Sequence, residues 1–444
     1  MTNILIIGAG RSTTSLINYL LQNSAICNFK ITVADMDINL AQEKIANYPN
    51  ASAISFNSSD ADKRKEIIQQ HDFIISMLPA FMHAEVAKNC VEYGKHLATA
   101  SYVSADMKAL DKEAQKKGLI LLNECGLDPG IDHASAMQEI NAIKRKGGEI
   151  ISFKSYCGGL VAPENNDNPW GYKFSWNPRN VVLAGQGTAQ FLENGALKFI
   201  PYNRLFSQTD VINIKGYGNF DAYANRDSIS YQEIYGLQFA KNMLRGTLRQ
   251  QHYCKAWNVF ILLGLTDDTT KITHANNLTY SDLLNSFLPN GTEPLKQKLK
   301  HFLKENWDND IETMLDYLEL FSDKKITVNE GSPAQLLQAL LEEKWKLQDT
   351  DKDMIVMQHQ FEYTLPSDVN KILKTNSSLV VVGKDNHDTA MAQTVGLPLA
   401  ITVKNFITKK FTDVGVQIPI TPQIYEPLLK ELEDHKIIFN TQHL

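Results

Sequence analysis

Ile4-Leu5-Ile6-Ile7-Gly8-Ala9-Gly10-Arg11-Ser12-Thr13 lies at the very start of the sequence. A short, unbroken apolar run meets two glycines one residue apart. A segment with helical spacing, Ser12–Asn23, follows at once. This is the order strand, tight turn, helix. Gly8 permits the turn, and Gly10 lets the backbone come close to a pyrophosphate. The helix beginning near residue 12 offers its first N–H groups to that anion. The third fingerprint position is Thr13, where Gly or Ala is usual. A plain glycine turn is the alternative, but the strand-to-helix setting favours dinucleotide binding.

Outward from this turn the pattern repeats. Apolar runs occur at Ile4–Ile7, Ile31–Val33, Ala53–Phe56, Phe73–Met77, His96–Thr99 and Leu119–Leu122. They are short and mostly do not alternate, as strands covered on both faces do not. Helical spacing fills the gaps at Ser12–Asn23, Ile38–Ala46, Asp62–Gln70, Met82–Glu92 and Asp106–Lys117. Alternation of this kind predicts an α/β domain with a Rossmann-like parallel sheet. The second strand ends at Asp35, where an acid ordinarily accepts hydrogen bonds from the adenosine ribose; the alternative is a helix cap. Asp35 and Asp37 flank the place of a 2′-phosphate, and no cation follows until Lys44. Two unit charges at about 5 Å repel by roughly 3 kcal/mol at an effective dielectric near 20. The expectation is therefore NAD rather than NADP.

The whole chain has 444 residues, a net charge of −6 and five cysteines without a Cys-x-x-Cys pair. That balance argues against nucleic-acid binding, which needs a basic face. No run of 18 apolar residues suggests a membrane span. With no leader pattern at the start and no disulfide framework, the expectation is a reducing, cytoplasmic compartment. His and Cys are scattered, so no metal site is expected.

Polar residues collect where ligands bind in such sheets, after the strands' carboxyl ends. Leu78 follows the fourth strand, where a nicotinamide would lie against apolar side chains, and Ser101-Tyr102 follow the fifth. Asn123–His133 follows the sixth, with Asp128, Asp132 and His133 close together. Asp132 is readable as a helix cap and His133 as either an acid–base group or a structural residue. Asp128, before a proline and outside any helix, is the better candidate for chemistry. Ser155–Trp176 reads as a strand, a diglycine turn beside Cys157 and an aromatic loop forming a lid or an interface. Cys157 either touches a ligand or is buried there. Arg226, Arg245 and Arg249 sit in Gly-rich or polar settings and would suit carboxylates.

Ala100–Ser104, Asn123–His133, Ser155–Trp176, Asn225–Ser228, Arg245–Arg249, Met354–His359 and Ala392–Pro398 together resemble saccharopine dehydrogenases of the glutamate-forming type, over nearly the whole length. The resemblance implies oxidation of saccharopine to L-glutamate and L-2-aminoadipate 6-semialdehyde, or the reverse. It implies substrate contacts at Ser101, Tyr102, Asp128, Cys157, Arg226, Arg245, Gly246 and Thr247, with Asp128 and Tyr102 catalytic. It implies cofactor contacts at Gly8, Gly10, Arg11, Ser12, Thr13, Asp35, Leu78, Ala100, Leu127 and Trp176. Asp35, where fungal members carry Arg, points to NAD and lysine breakdown. An NADP-dependent biosynthetic reductase and a carboxynorspermidine-synthase-like reductase are the alternatives. The implied architecture is a Rossmann domain over 1–128 completed by 388–444, a second α/β domain with a mixed sheet over 129–232 completed by 325–387, and an inserted all-helical domain over 233–324. Tyr231–Leu265, Tyr280–Glu305 and Asp308–Phe321 read as amphipathic helix. The aromatic loop and an open second sheet suggest a homodimer.

Overall fold

The six apolar runs become strands β1 (Thr2–Ile7), β2 (Phe29–Asp35), β3 (Ala51–Ser55), β4 (Phe73–Ser76), β5 (His96–Ala98) and β6 (Ile120–Leu122). In this computed structural model, which describes residues 1–46 and 48–444, they form a seven-stranded sheet with the short strand Gly415–Gln417. All pairings are parallel, in the order Gly415–Gln417, β6, β5, β4, β1, β2, β3. Helices α1 (Thr14–Cys27), α2 (Ile38–Ile45), α3 (Ala61–Gln69), α4 (His83–Tyr93), α5 (Ala105–Ala109) and α6 (Asp111–Lys116) make the crossovers. The strands are unbroken apolar runs because both faces are covered, and Leu5, Ile74, Leu97 and Leu121 are fully buried. Each such side chain contributes about 1.5–3 kcal/mol of burial. Strand order reverses between β1 and β4, which puts the ligand crevice of an open α/β sheet at their carboxyl ends.

The chain divides into two compact units. The first comprises Met1–Glu149, Thr364–Lys371 and Leu379–Asn440. In it, helix α7 (Ile131–Arg145) follows the loop after β6, and the helix Ala390–Ile407 packs along α1.

The second unit comprises Ile150–Tyr363, Ile372–Ser378 and Thr441–Leu444. Its sheet is mixed and built mainly from β7 (Glu149–Val161), β8 (Thr188–Glu193), β9 (Ala196–Pro201), β10 (Asp210–Ile214), β11 (Gly218–Ala224), β12 (Asn242–Gln250), β13 (Asp353–Leu365) and β14 (Asp368–Val382). β12 runs parallel to β7 and antiparallel to β11. The expected helix over Tyr231–Leu265 is thus corrected: two helices, Ser230–Ile234 and Tyr253–Leu263, enclose a central strand. The local sequence misleads because β12 is covered on both faces and does not alternate. Gly246 was the available signal. It costs a helix interior about 1 kcal/mol, whereas in the strand it admits Tyr156, whose ring would lie 2.7 Å from a Cβ placed there.

The aromatic loop is also corrected. Trp170, Tyr172 and Phe174 are buried and pack around Trp345, with ring centroids 5.2–5.4 Å away. Trp170 Nε1 donates to the Met314 carbonyl at 2.7 Å. These three rings belong to the core of the unit rather than to a lid. Among the described residues, no helix is long and apolar enough to cross a membrane.

Candidate functional site

The glycine turn lies at the end of β1. Gly8 has φ +107°, and a Cβ there would stand 3.0 Å from the Met77 carbonyl oxygen. At Gly10 an added Cβ would meet nothing within 4 Å, so the exposed backbone is open to a phosphate. Arg11–Thr13 form one turn of 3₁₀ helix before α1. The buried Thr13 closes that turn, its hydroxyl donating to the Gly10 carbonyl at 2.7 Å. Arg11 is exposed and Ser12 half-buried. The open cradle over Gly10 and the helix behind it fit a dinucleotide pyrophosphate. Leu78 is half-buried just past β4, and Ala100 holds the matching place after β5.

Asp35, half-buried at the end of β2, turns its carboxylate back on the protein. One oxygen accepts from Ala9 N at 2.7 Å and the other from Asp37 N at 2.9 Å. Asp37 in turn caps α2 by accepting from Asn39 N.

After β5 and β6 the structure brings two expected residues together. The Tyr102 hydroxyl donates to Asp128 Oδ1 at 3.1 Å, and Tyr102 is exposed while Asp128 is half-buried. Behind them the loop is sealed. Glu124, held at φ +55°, accepts from Val103 N through Oε1 (2.9 Å) and bonds His133 Nε2 through Oε2 (2.7 Å). Asp132 Oδ1 accepts from Gly130 N at 2.6 Å, and its other oxygen lies 3.6 Å from His133 Nδ1. The buried Leu127 accepts from Asp132 N at 3.1 Å, which ties the loop to α7. Asp132 and His133 therefore shape the loop that presents Asp128.

Ser101 has a partner that sequence reasoning missed. The buried His83, first residue of α4, bonds the Ser76 hydroxyl through Nδ1 (2.8 Å) and the Ser101 hydroxyl through Nε2 (2.8 Å), with Thr99 Oγ1 at 3.2 Å. Burial pushes its pKa down to about 4, so the ring is neutral. A lone histidine at a helix start gave no signal; only the adjacency of β4 and β5 brings these groups together.

In the second unit, strand register gathers the remaining candidates. Thr247 lies opposite Cys157 on β7 and Tyr223 on β11, so the three form one row. Gly246 sits beside Tyr156, and Cys157 is buried. Arg245, two residues from Thr247 and hence on its face, is buried with its guanidinium 4.3 Å over the Tyr231 ring. Its backbone anchors the loop 225–228, accepting from Asn225 N (2.7 Å) and donating to the Ser228 hydroxyl (2.8 Å). Arg226, in that loop, is exposed. Arg249 is the arginine whose place was least foreseen. It is buried among Tyr172, Tyr223 and Tyr253, 5.5–5.8 Å from their ring centroids. Trp176 is half-buried and donates from Nε1 to the Tyr172 hydroxyl at 3.1 Å, which fixes its ring. Among the described residues, no group of three or more His, Cys, Asp or Glu side chains could hold a metal ion.

Comparison with known proteins gives a consistent result. Residues 4–122 match the family described as "Saccharopine dehydrogenase NADP binding domain", and residues 126–438 match "Saccharopine dehydrogenase C-terminal domain". The chain is 34% identical over 450 residues to "Saccharopine dehydrogenase [NADP(+), L-glutamate-forming]" of Pyricularia oryzae, covering 97% of this chain and 96% of that one. It is 35% identical to the mouse "Alpha-aminoadipic semialdehyde synthase, mitochondrial", covering 99% of this chain but only 47% of the relative. Among solved structures it is similar to the apo saccharopine dehydrogenase (L-Glu forming) of Saccharomyces cerevisiae, with TM-score 0.89, 32% identity and full coverage of both chains. A homospermidine synthase from Legionella pneumophila, at TM-score 0.57 and 10% identity, shares the fold.

These matches overturn the expectation of NAD. The matching nucleotide domain is described as NADP-binding, and the fungal relatives carry NADP(+) in their names. The error lay in reading Asp35 as a free charge facing the ribose. Each of its oxygens accepts a backbone N–H, one from the turn and one from the α2 entry, so the carboxylate also serves to hold the turn.

Proposed function

The chain belongs to the saccharopine dehydrogenase family, and on that premise we propose that it transfers hydride between saccharopine and NADP, interconverting saccharopine with L-glutamate and L-2-aminoadipate 6-semialdehyde. The observation that carries this reading is the Tyr102–Asp128 pair, held at 3.1 Å at the carboxyl edge of the sheet whose first turn lies open over Gly10. Bound NADP supplies the hydride acceptor.

In the first unit we assign Ser101, Tyr102 and Asp128 to substrate. Asp128 takes the proton of the secondary amine, its carboxylate oriented by the Tyr102 hydroxyl on Oδ1. As the amine loses this proton, hydride leaves the adjacent ε-carbon of the lysine moiety and an imine forms. Water adds to that carbon, the carbon–nitrogen bond breaks, and the proton returned by Asp128 leaves with the glutamate amine. General acid–base groups of this kind contribute about 10²–10⁴-fold. Within the second unit we assign Cys157, Arg226, Arg245, Gly246 and Thr247 to substrate and Trp176 to cofactor, as the family resemblance implies. Saccharopine carries three carboxylates, and the guanidinium groups give them bidentate donors. We further propose a homodimer in a reducing compartment. Support comes from Leu197 and Phe199, exposed on β9, and from five cysteines that form no disulfide among the described residues.

The test is near-ultraviolet absorbance with saccharopine, in parallel with NADP and NAD. The expected result is reduction of NADP, faster than that of NAD at equal concentration. Absence of signal with both cofactors would contradict the reading.

A further inference from the structure

We infer that His83 is a positioning residue that holds the Ser101 hydroxyl toward the substrate. This rests on the proposed function in assigning Ser101 to saccharopine, and goes beyond it in naming the group that orients that side chain.

Ser101 lies in an irregular segment after β5, half-buried, and a serine hydroxyl turns freely about its Cα–Cβ bond unless something holds it. The His83 ring is what holds it. The ring bridges two adjacent strand ends, with Ser76 at the end of β4 on Nδ1 and Ser101 beyond β5 on Nε2, both at 2.8 Å. Ser76 is fully buried, so the Nδ1 side is sealed and the ring cannot swing away. Thr99 Oγ1 accepts from Ser101 N at 3.3 Å and lies 3.2 Å from the same Nε2, which ties the Ser101 backbone to the same ring. One edge of the imidazole is thus anchored in the core and the other grips a residue facing the crevice. A hydroxyl already bonded to a fixed ring has fewer directions left for a ligand, and fixing it in advance lowers the ordering cost of binding.

Atom placement supplies the test. The glutamine amide reaches the place of imidazole Nε2, and the asparagine amide reaches only that of Nδ1. His83→Gln therefore keeps the contact to Ser101, and His83→Asn keeps only the contact to Ser76. Wild type, His83→Gln, His83→Asn, His83→Leu and Ser101→Ala would be compared by saccharopine KM and kcat with NADP, and by the Kd of NADPH from fluorescence. The expected result is a KM raised about tenfold in the Asn and Leu variants, as for loss of one hydrogen bond, with the Gln variant within about threefold of wild type. The Kd of NADPH stays level throughout. Adding His83→Asn to Ser101→Ala brings no further rise, because the contact it removes is already gone.

A merely structural His83 predicts Asn equal to or better than Gln, since Asn keeps the core bond, and additive effects with Ser101→Ala. Either outcome overturns the inference while leaving the proposed function standing. Wild type without saccharopine turnover overturns both. If the Leu variant fails to fold, the Gln and Asn pair decides alone.

Discussion

Two parts of one loop, Asn123–His133, carry the same residue types and do different work. Its inner part places Glu124, His133 and Asp132 against one another and against backbone N–H groups, all buried. Its outer part places Asp128 at the surface of the crevice beside the exposed Tyr102. Acids and a histidine at the carboxyl end of a parallel sheet are thus not all ligands for substrate. The buried ones build the loop, and the one presented outward, beside Tyr102, is the one we assign to chemistry.

The sharpest way to break this comparison is at Asp128. Asp128→Asn keeps shape and loses the base, and kcat is expected to fall about 10²–10⁴-fold with the melting temperature unchanged within about 2 °C. A fall in stability with normal turnover would reverse the roles of the two parts. Glu124→Ala should do the opposite. It leaves His133 and Val103 N without their acceptor in a buried place, at about 1–3 kcal/mol each. A loss of about 4 kcal/mol in urea unfolding is expected, with activity per folded molecule much less affected than in Asp128→Asn.

A third prediction contrasts two of the buried histidines, His133 and His83. His133 meets carboxylates, whereas His83 meets the hydroxyls of Ser76, Ser101 and Thr99, and burial pushes its pKa down to about 4. The unfolded chain then binds a proton near pH 6.5 that the native state refuses. Stability from this group is intact above about pH 6.5 and falls as the pH drops toward 4, by about 3 kcal/mol in all. Unfolding of wild type and His83→Gln at pH 7 and pH 4.5 measures it, since the variant should lose less on acidification. The smallest effect is at Tyr102. Tyr102→Phe removes one solvent-accessible hydrogen bond, and a loss in kcat/KM of about 3–10-fold with unchanged stability is expected.

The first sheet was legible because covered parallel strands leave continuous apolar runs, and Gly8 and Gly10 lie at the first turn of the chain. The position of Asp128 was legible for the same reason, as a residue after β6 that no helix claims. What failed depends on partners far along the chain. β12 reads as helix until β7 and β11 flank it. Trp170, Tyr172 and Phe174 read as part of a lid or an interface until Trp345 is placed among them. His83 is silent until β4 and β5 bring Ser76, Thr99 and Ser101 to its ring. Asp35 was misread because its two backbone donors belong to a turn whose geometry a string of letters does not carry.

The account rests most heavily on which bond of saccharopine is broken. Incubation of the enzyme with saccharopine and NADP, followed by chromatography of the products, tests this directly. L-glutamate released mole for mole with NADPH, together with the semialdehyde, is the predicted result. Lysine and 2-oxoglutarate, the products of oxidising the carbon on the other side of the nitrogen, or no turnover at all, would contradict it.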